Sequence, residues 1–200
     1  NDNNLSGVIP SEIGDLINLE WLFLNQNQFS EELPSSIGNL EKLKILRLGN
    51  NSLIGNIPDE ITSLENLEVL KMQDNLLTGT LPNNIGLLTN LDSLWLSNNQ
   101  LEGSLPESFS NLSTLTSLGL NQNNFSGEIS IINYSNFSNL KYLHLNDNNF
   151  SGEIPESLCN IPNLTTTNLH NNQFCPEEIN GYPECLSQEV IDSQDTSNCP

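Results

Sequence analysis

The chain has 200 residues, and its 25 Asp and Glu against five Lys and Arg give a formal net charge of −20 at pH 7. Such an acidic surface repels phosphate backbones and anionic headgroups, which excludes nucleic acid and anionic membrane surfaces from the expected partners. No apolar run approaches the ~18 residues that a membrane span needs, so direct membrane insertion is not expected either. The apolar residues, 36% of the chain, are mostly Leu and Ile at regular intervals, an order that disordered chains lack.

One asparagine recurs along the chain at a nearly constant spacing of 24 residues, with a single spacing of 25. After Asn3, the members of this series are Asn27, Asn51, Asn75, Asn99, Asn123, Asn148 and Asn172. Around each, the sequence approximates Leu-x-x-Leu-x-Leu-x-x-Asn-x-(Leu/Phe)-x-Gly-x-(Ile/Leu)-Pro. The chain is therefore a partial first unit followed by seven repeats, and this periodicity predicts a solenoid.

Each position of the repeat has a physical role, which the unit around Lys71 illustrates. Leu70 and Met72 alternate with Lys71, so the pattern predicts a short strand with the two apolar side chains inward and the lysine outward. Strands of successive coils stack in parallel at about 4.8 Å and bury a column of leucines. The asparagine amide can both donate to and accept from backbone groups where the chain turns, and the following Gly and Pro shape that turn.

The Leu-x-Gly-x-Ile-Pro segment after the asparagine resembles the plant-type leucine-rich repeat of receptor-kinase ectodomains and polygalacturonase-inhibiting proteins. The resemblance covers residues 3 to about 174. It implies a right-handed α/β solenoid with a concave parallel sheet, short second strands and short helical turns on the convex side. It also implies ligand binding on the concave sheet, and it leaves the ligand open.

Three places depart from the repeat. At the start, the apolar side chains Leu5, Ile9, Ile13 and Leu16 have no preceding coil, so we expect either a missing cap or a partner chain at this end. Glu31 replaces the turn glycine of the first full unit. An extra residue lies within 131–137, which we interpret as a tolerated insertion in an exposed loop rather than as a contact feature.

The outward strand positions are the candidate binding surface, because the inward ones form the scaffold. Three outward columns contain both tryptophans and two of the five basic residues but no Asp or Glu. The candidate ligand-binding residues are Trp21, Phe23, Arg47, Lys71, Trp95, Tyr142 and His144. They suit a protein, a peptide or an acidic glycan, since Arg and aromatic residues commonly anchor interfaces. The alternative is that these columns merely avoid stacking like charges.

Four cysteines occupy the last 42 residues, at positions Cys159, Cys175, Cys185 and Cys199. Their spacing does not resemble a zinc site, and it favours two disulfides in any of three pairings. We therefore predict a solenoid over 1–174 and a disulfide cap over 175–200, similar to the caps of secreted leucine-rich proteins. Disulfides imply a secreted, cell-surface or periplasmic location. Eight Asn-x-Ser/Thr sequons occur, and the best glycosylation candidates are Asn111, Asn136 and Asn163.

The sequence predicts no enzyme, cofactor or metal site. Neither histidine has a serine or cysteine placed to form a triad, and phosphate-binding and EF-hand motifs are absent. The predicted function is non-catalytic extracellular recognition, as in a receptor ectodomain. The rival is an ice-binding or other surface-structuring solenoid, which would need a flat array of one small polar residue.

Overall fold

The computed structural model describes residues 1–176 and 181–199 as a stack of coils, in which successive coils add strands to two parallel sheets. The described strands are β1 Ser6–Gly7, β2 Trp21–Phe23, β3 Gln28–Glu32, β4 Ile45–Arg47, β5 Ser52–Gly55, β6 Val69–Lys71, β7 Leu76–Gly79, β8 Ser93–Trp95, β9 Gln100–Gly103, β10 Ser117–Gly119, β11 Asn124–Glu128, β12 Tyr142–His144, β13 Asn149–Glu153, β14 Thr166–Asn168 and β15 Gln173–Cys175. The described helices are the 3-10 helices Ser11–Asp15, Ser35–Asn39, Asp59–Ser63, Ile85–Leu87, Glu107–Asn111, Tyr134–Asn136 and Glu156–Leu158, and the α-helix α1 Gln188–Asp192. The predicted α/β solenoid is confirmed.

The even-numbered strands β2 to β14 form the concave sheet, and each pairs in parallel with the strand one coil away. Each strand has three residues, and from β2 to β12 the middle one is a buried leucine, as Leu46 and Leu70 illustrate. Met72, just after β6, is also buried, whereas Lys71 faces outward. The alternation therefore separates a leucine core from a free outer face.

The odd-numbered strands β1 to β15 form the second sheet, and the asparagine series lies between the two sheets. Asn75 Nδ2 donates to the carbonyl oxygens of Met72 at 3.0 Å and of Leu48, one coil earlier, at 3.1 Å. Its Oδ1 accepts from the Leu53 amide at 3.0 Å. The same three contacts recur at Asn51, Asn99, Asn123, Asn148 and Asn172. The ladder thus satisfies backbone groups that the turn leaves without partners.

A second row of asparagines lies just before the concave strands, and the sequence reasoning missed it. Asn66, Asn90 and Asn163 each donate from Nδ2 to a carbonyl oxygen 25 residues earlier, at 2.7–2.8 Å. At the equivalent place in the second full coil, Lys42 donates instead to Asn18 Oδ1 at 2.7 Å. The (Leu/Ile)-x-Asn-Leu spacing of these residues is the sequence signal for this row.

Glu31 takes the backbone conformation that glycine has in other coils. Its φ is +65°, against +73° for Gly55 and Gly79. A side chain at such a φ is strained, because Cβ approaches the carbonyl oxygen. Glu31 therefore forms the same turn as the glycine of other repeats, but at a higher conformational free energy.

The segment 131–137 is only partly an exposed loop, which corrects the expectation from the sequence. Ile131 is exposed, but Ile132, Tyr134 and Phe137 are buried. The Tyr134 and Phe137 rings lie 6.2 Å apart, and burial raises the pKa of the Tyr134 hydroxyl. The coil accommodates the extra residue while Ile132, Tyr134 and Phe137 remain in the core.

The two ends of the stack differ. Near the start, Leu5 and Leu16 are half exposed, whereas Ile9 is buried and Ile13 is partly buried, since the following coil covers them. Near the other end, Tyr182, Leu186 and Val190 pack against the hydrophobic core, and Leu169 is fully buried.

Two disulfides, Cys159–Cys185 and Cys175–Cys199, join the last coils to the cap, with Cα–Cα distances of 5.8 and 5.6 Å. The sequence alone allows all three pairings. The division into 1–174 and 175–200 stays a prediction, and residues 177–180 and 200 of the proposed cap lie outside the described residues.

Candidate functional site

The last residues of the seven concave strands form one continuous row across the sheet, which we call the central row. In sheet order, the row is Phe23, Arg47, Lys71, Trp95, Gly119, His144 and Asn168. Each residue pairs in parallel register with the next, so its side chain lies beside those of the adjoining coils. The repeat places these positions together because each coil advances the chain by one strand spacing.

Side chains in the central row contact one another along most of its length. The Arg47 guanidinium carbon lies 5.2 Å from the centroid of the Phe23 ring, and Lys71 Nζ lies 5.7 Å from that of Trp95. Both distances are within the range of cation–π attraction. Beyond Trp95, the His144 ring centroid is 5.6 Å from that of the indole, with the planes tilted by 37°.

The two cations of the row are neighbours. Arg47 and Lys71 pair in register on β4 and β6, and neither forms an ion pair within the part of the chain that the structure describes. Burial, and then the like charge of Arg47, lower the pKa of Lys71. At the border of the sheet, by contrast, Lys44 pairs with Glu20 at 2.8 Å. The row therefore contains two positive groups without a carboxylate between them.

At the other end of the row, His144 is held by Asn168. Its Nδ1 lies 2.8 Å from Asn168 Nδ2, so the ring nitrogen accepts from the amide when the imidazole is neutral. Burial lowers the pKa of His144. The histidine thus has a hydrogen bond that its neutral form makes and its charged form loses.

The remaining two predicted ligand-binding residues lie in the adjoining row. Trp21 and Tyr142 are the first residues of their strands, and both are exposed, at 57% and 43%. Trp21 is on the edge strand β2, whereas Tyr142 is on β12, five strands away in the sheet order. The structure thus brings five of the seven predicted residues into the central row. Trp21 and Tyr142 lie in the adjoining row, five strands apart from each other.

The predicted glycosylation candidates are all exposed. Asn136 Nδ2 donates to the Ser110 carbonyl at 2.9 Å, and Asn163 Nδ2 donates to that of Ser138 at 2.7 Å. Their side-chain amides therefore already link neighbouring coils. Glycosylation at the three sites stays a prediction.

Metal sites, grooves and membrane-spanning helices are the other features that bear on function. Among the described residues, no three or more His, Cys, Asp or Glu side chains come together as a metal site would require. A groove of about 960 Å³ is lined by Glu128, Glu153 and the Cys175–Cys199 disulfide, on the second sheet and the cap. Within residues 1–176 and 181–199, none of the helices is long and apolar enough to cross a membrane.

Comparison with known proteins places this geometry in a family. The sequence model of the family described as Leucine Rich Repeat matches residues 18–40, 42–64, 66–88, 90–112 and 139–161, which together make up more than half of the chain. No curated protein matches the sequence significantly.

Solved structures with similar folds include one plant protein and one bacterial protein. The Arabidopsis receptor kinase HAESA, in complex with the peptide hormone IDA and the co-receptor SERK1, is 35% identical, with a TM-score of 0.82 over 86% of this chain and 29% of its own. A leucine-rich repeat protein of Leptospira interrogans is 32% identical, with a TM-score of 0.73 over 88% and 43% of the two chains. This chain spans less than half the length of either. With its repeat pattern, paired sheets and family match, the chain belongs to the leucine-rich repeat family, with repeats of the plant type.

Proposed function

We propose that the chain is a non-catalytic extracellular recognition module whose concave sheet binds a peptide or a protein segment. In this proposal, a negatively charged group of the ligand lies against Arg47 and Lys71. Aromatic side chains on both sides of this pair contact apolar parts of the ligand.

One observation carries the proposal, namely the adjacent pair Arg47 and Lys71 in a chain with a net charge of −20. Two like charges on neighbouring strands repel each other, and this repulsion adds to the larger effect of burial in lowering the pKa of Lys71. An anion bound between Arg47 and Lys71 offsets that repulsion. Its binding is therefore more favourable there than beside a cation that already pairs with a carboxylate. A guanidinium also offers paired donors suited to a carboxylate.

The flanking aromatic residues support an interface rather than a bare ion site. Phe23 and Trp95 border the pair on either side, and Phe23 is 39% exposed. Rigid aromatic side chains next to Arg are typical of the residues that dominate binding energy. Similar structures were also solved as complexes, HAESA with a peptide hormone and PEPR1 with AtPEP1, which supports a binding role.

The extracellular location is supported by two kinds of observation. Two disulfides join the cap to the solenoid, and disulfides persist in oxidising compartments. Two of the similar structures are leucine-rich repeat ectodomains of Arabidopsis receptor kinases.

The test is an array of synthetic peptides and glycans, probed with the purified chain. We expect acidic peptides to be enriched and their affinity to fall at least tenfold in the Arg47→Ala/Lys71→Ala variant, because each anchor is worth about 1.4 kcal/mol or more. The matched control is Lys42→Ala/Lys141→Ala, which removes the same charge from the border of the sheet. Exclusive binding of glycans, or equal losses in the two variants, would contradict the proposal.

A second candidate, an ice-binding surface, has one structural observation in its favour. A plant ice-binding protein is 26% identical, with a TM-score of 0.59 over 91% of this chain and 74% of its own. The central row, however, mixes aromatic, cationic and glycine positions and offers no regular array of small polar groups. Thermal hysteresis of the purified chain distinguishes the two functions, and we expect none.

A further inference from the structure

Gly119 interrupts the central row at the place where the Trp95 side chain lies. A Cβ at position 119 would be 2.8 Å from Trp95 Cζ3 and closer still to Cε3. Real Cβ atoms essentially never come within 3.0 Å of such neighbours. The six-membered ring of the indole therefore occupies the space that any side chain at 119 would fill.

The backbone does not require glycine at this position. Gly119 lies outside the left-handed region, which the turn glycines occupy, and it is paired in regular parallel register with Trp95 and His144. Glycine within a strand is less favourable than alanine, because it loses more conformational entropy on folding. The space taken by the indole is thus the local feature that explains a glycine here.

We propose that Gly119 is a positioning residue that lets the Trp95 indole lie across the neighbouring strand, and so extends the ligand-binding surface from Lys71 to His144. This inference rests on the proposed function. Lys71 Nζ is 5.7 Å from the indole centroid, and the His144 ring centroid is 5.6 Å from it. Contacts from three strands hold the ring before a ligand arrives, which lowers the entropy lost on binding.

A second glycine provides a matched control. Gly49 is buried beside the same sheet and also lies outside the left-handed region. A Cβ there would meet the amide end of Gln73, with its closest atoms at 2.7 Å, which is a flexible group. Gly49→Ala therefore adds the same methyl group without displacing the indole.

The first test measures the position of the indole and needs no ligand. In a Trp21→Phe background, Trp95 is the only tryptophan, so its fluorescence reports its environment. We expect Gly119→Ala to raise the acrylamide quenching constant of Trp95 and to change its near-ultraviolet circular dichroism, while Gly49→Ala changes neither. Unchanged quenching and dichroism in Gly119→Ala would overturn the positioning role.

The second test asks whether the effect of Gly119 acts through Trp95. Gly119→Ala should destabilise the chain with Trp95 present but much less in a Trp95→Ala background, where the indole no longer occupies that space and only the Ser97 hydroxyl, at 3.0 Å from a Cβ at 119, remains close. This cycle remains informative even if Gly119→Ala folds poorly. Equal destabilisation in the two backgrounds would mean that the effect of Gly119→Ala does not depend on Trp95, and it would overturn the proposal.

The third test connects position to binding. With an acidic peptide from the array, otherwise wild-type Gly119→Ala should bind about tenfold more weakly, and Gly49→Ala should bind as wild type does. Undiminished affinity together with a displaced indole would remove Gly119 from the binding function. If no peptide binds the wild-type chain, the proposed function fails, and the first two tests still decide whether Gly119 positions the indole.

Discussion

Glu31 has a backbone conformation that favours glycine, with a φ of +65°. The left-handed region costs a residue with a side chain about 1–2 kcal/mol, whereas glycine enters it freely and loses about 0.5–1 kcal/mol more entropy on folding. The first cost exceeds the second. We therefore expect Glu31→Gly to stabilise the chain by roughly 0.5–1 kcal/mol in urea unfolding.

The adjacent residue is the control for Glu31→Gly. Glu32 ends the same strand and is also exposed, but its φ lies outside the left-handed region. Glu32→Gly gains nothing from relieved strain and should destabilise the chain, since only the entropy cost remains. Destabilisation by both substitutions would show that the strain at Glu31 is smaller than the entropy that glycine loses on folding.

His144 gives the concave sheet a pH-dependent residue. Burial lowers its pKa, and its Nδ1 lies 2.8 Å from the Asn168 amide. In an NMR titration of His170→Gln, the one remaining imidazole should therefore titrate below the usual pKa of about 6.5. Because the folded chain binds this proton less readily than the unfolded chain, stability is complete above about pH 6.5 and declines as the pH falls from there towards the folded pKa. A midpoint at or above the usual value would contradict this.

Among the elements, the C-terminal cap carries the disulfides. Cys159–Cys185 and Cys175–Cys199 span 26 and 24 residues, and each restricts the unfolded chain. Loops of this size give about 3 kcal/mol per disulfide in the chain-entropy model. We expect each paired Cys→Ser variant to lower the unfolding free energy by a few kcal/mol and to lower the Tm. If reductant leaves the Tm unchanged, the disulfide-linked cap contributes little stability by covering Leu169.

The strands and their outward rows were predictable from the sequence, but several contacts were not. The period of 24 residues fixes which residue stacks on which, so the register of Arg47 on Lys71 follows from spacing alone. The placement of the Trp95 ring over Gly119 does not, because side-chain rotation depends on the space left by neighbours in three dimensions. The disulfide pairing is likewise a matter of distance, which spacing in the sequence leaves undetermined.

At the scale of the whole molecule, charge is distributed unevenly. The chain carries a net charge of −20, yet the central row contains Arg47 and Lys71 and no Asp or Glu. At physiological ionic strength the Debye length is about 8 Å, so distant carboxylates are screened while a charge beside the site is not. Lys71 Nζ lies 5.7 Å from the Trp95 ring. The potential at Trp95 is therefore expected to be positive despite the acidity of the protein.

Ionic quenchers of fluorescence measure this potential directly. In the Trp21→Phe background at constant ionic strength, iodide should be concentrated near Trp95 and caesium depleted, so iodide should quench more strongly relative to free tryptophan. Arg47→Ala/Lys71→Ala should reverse that order, because the acidic remainder of the protein then dominates. Lys42→Ala/Lys141→Ala lowers the net charge equally and should leave the order intact. Stronger quenching by caesium in the parent chain would mean that the negative potential of the whole molecule outweighs Arg47 and Lys71. Electrostatics would then not favour the binding of an anionic ligand beside Trp95.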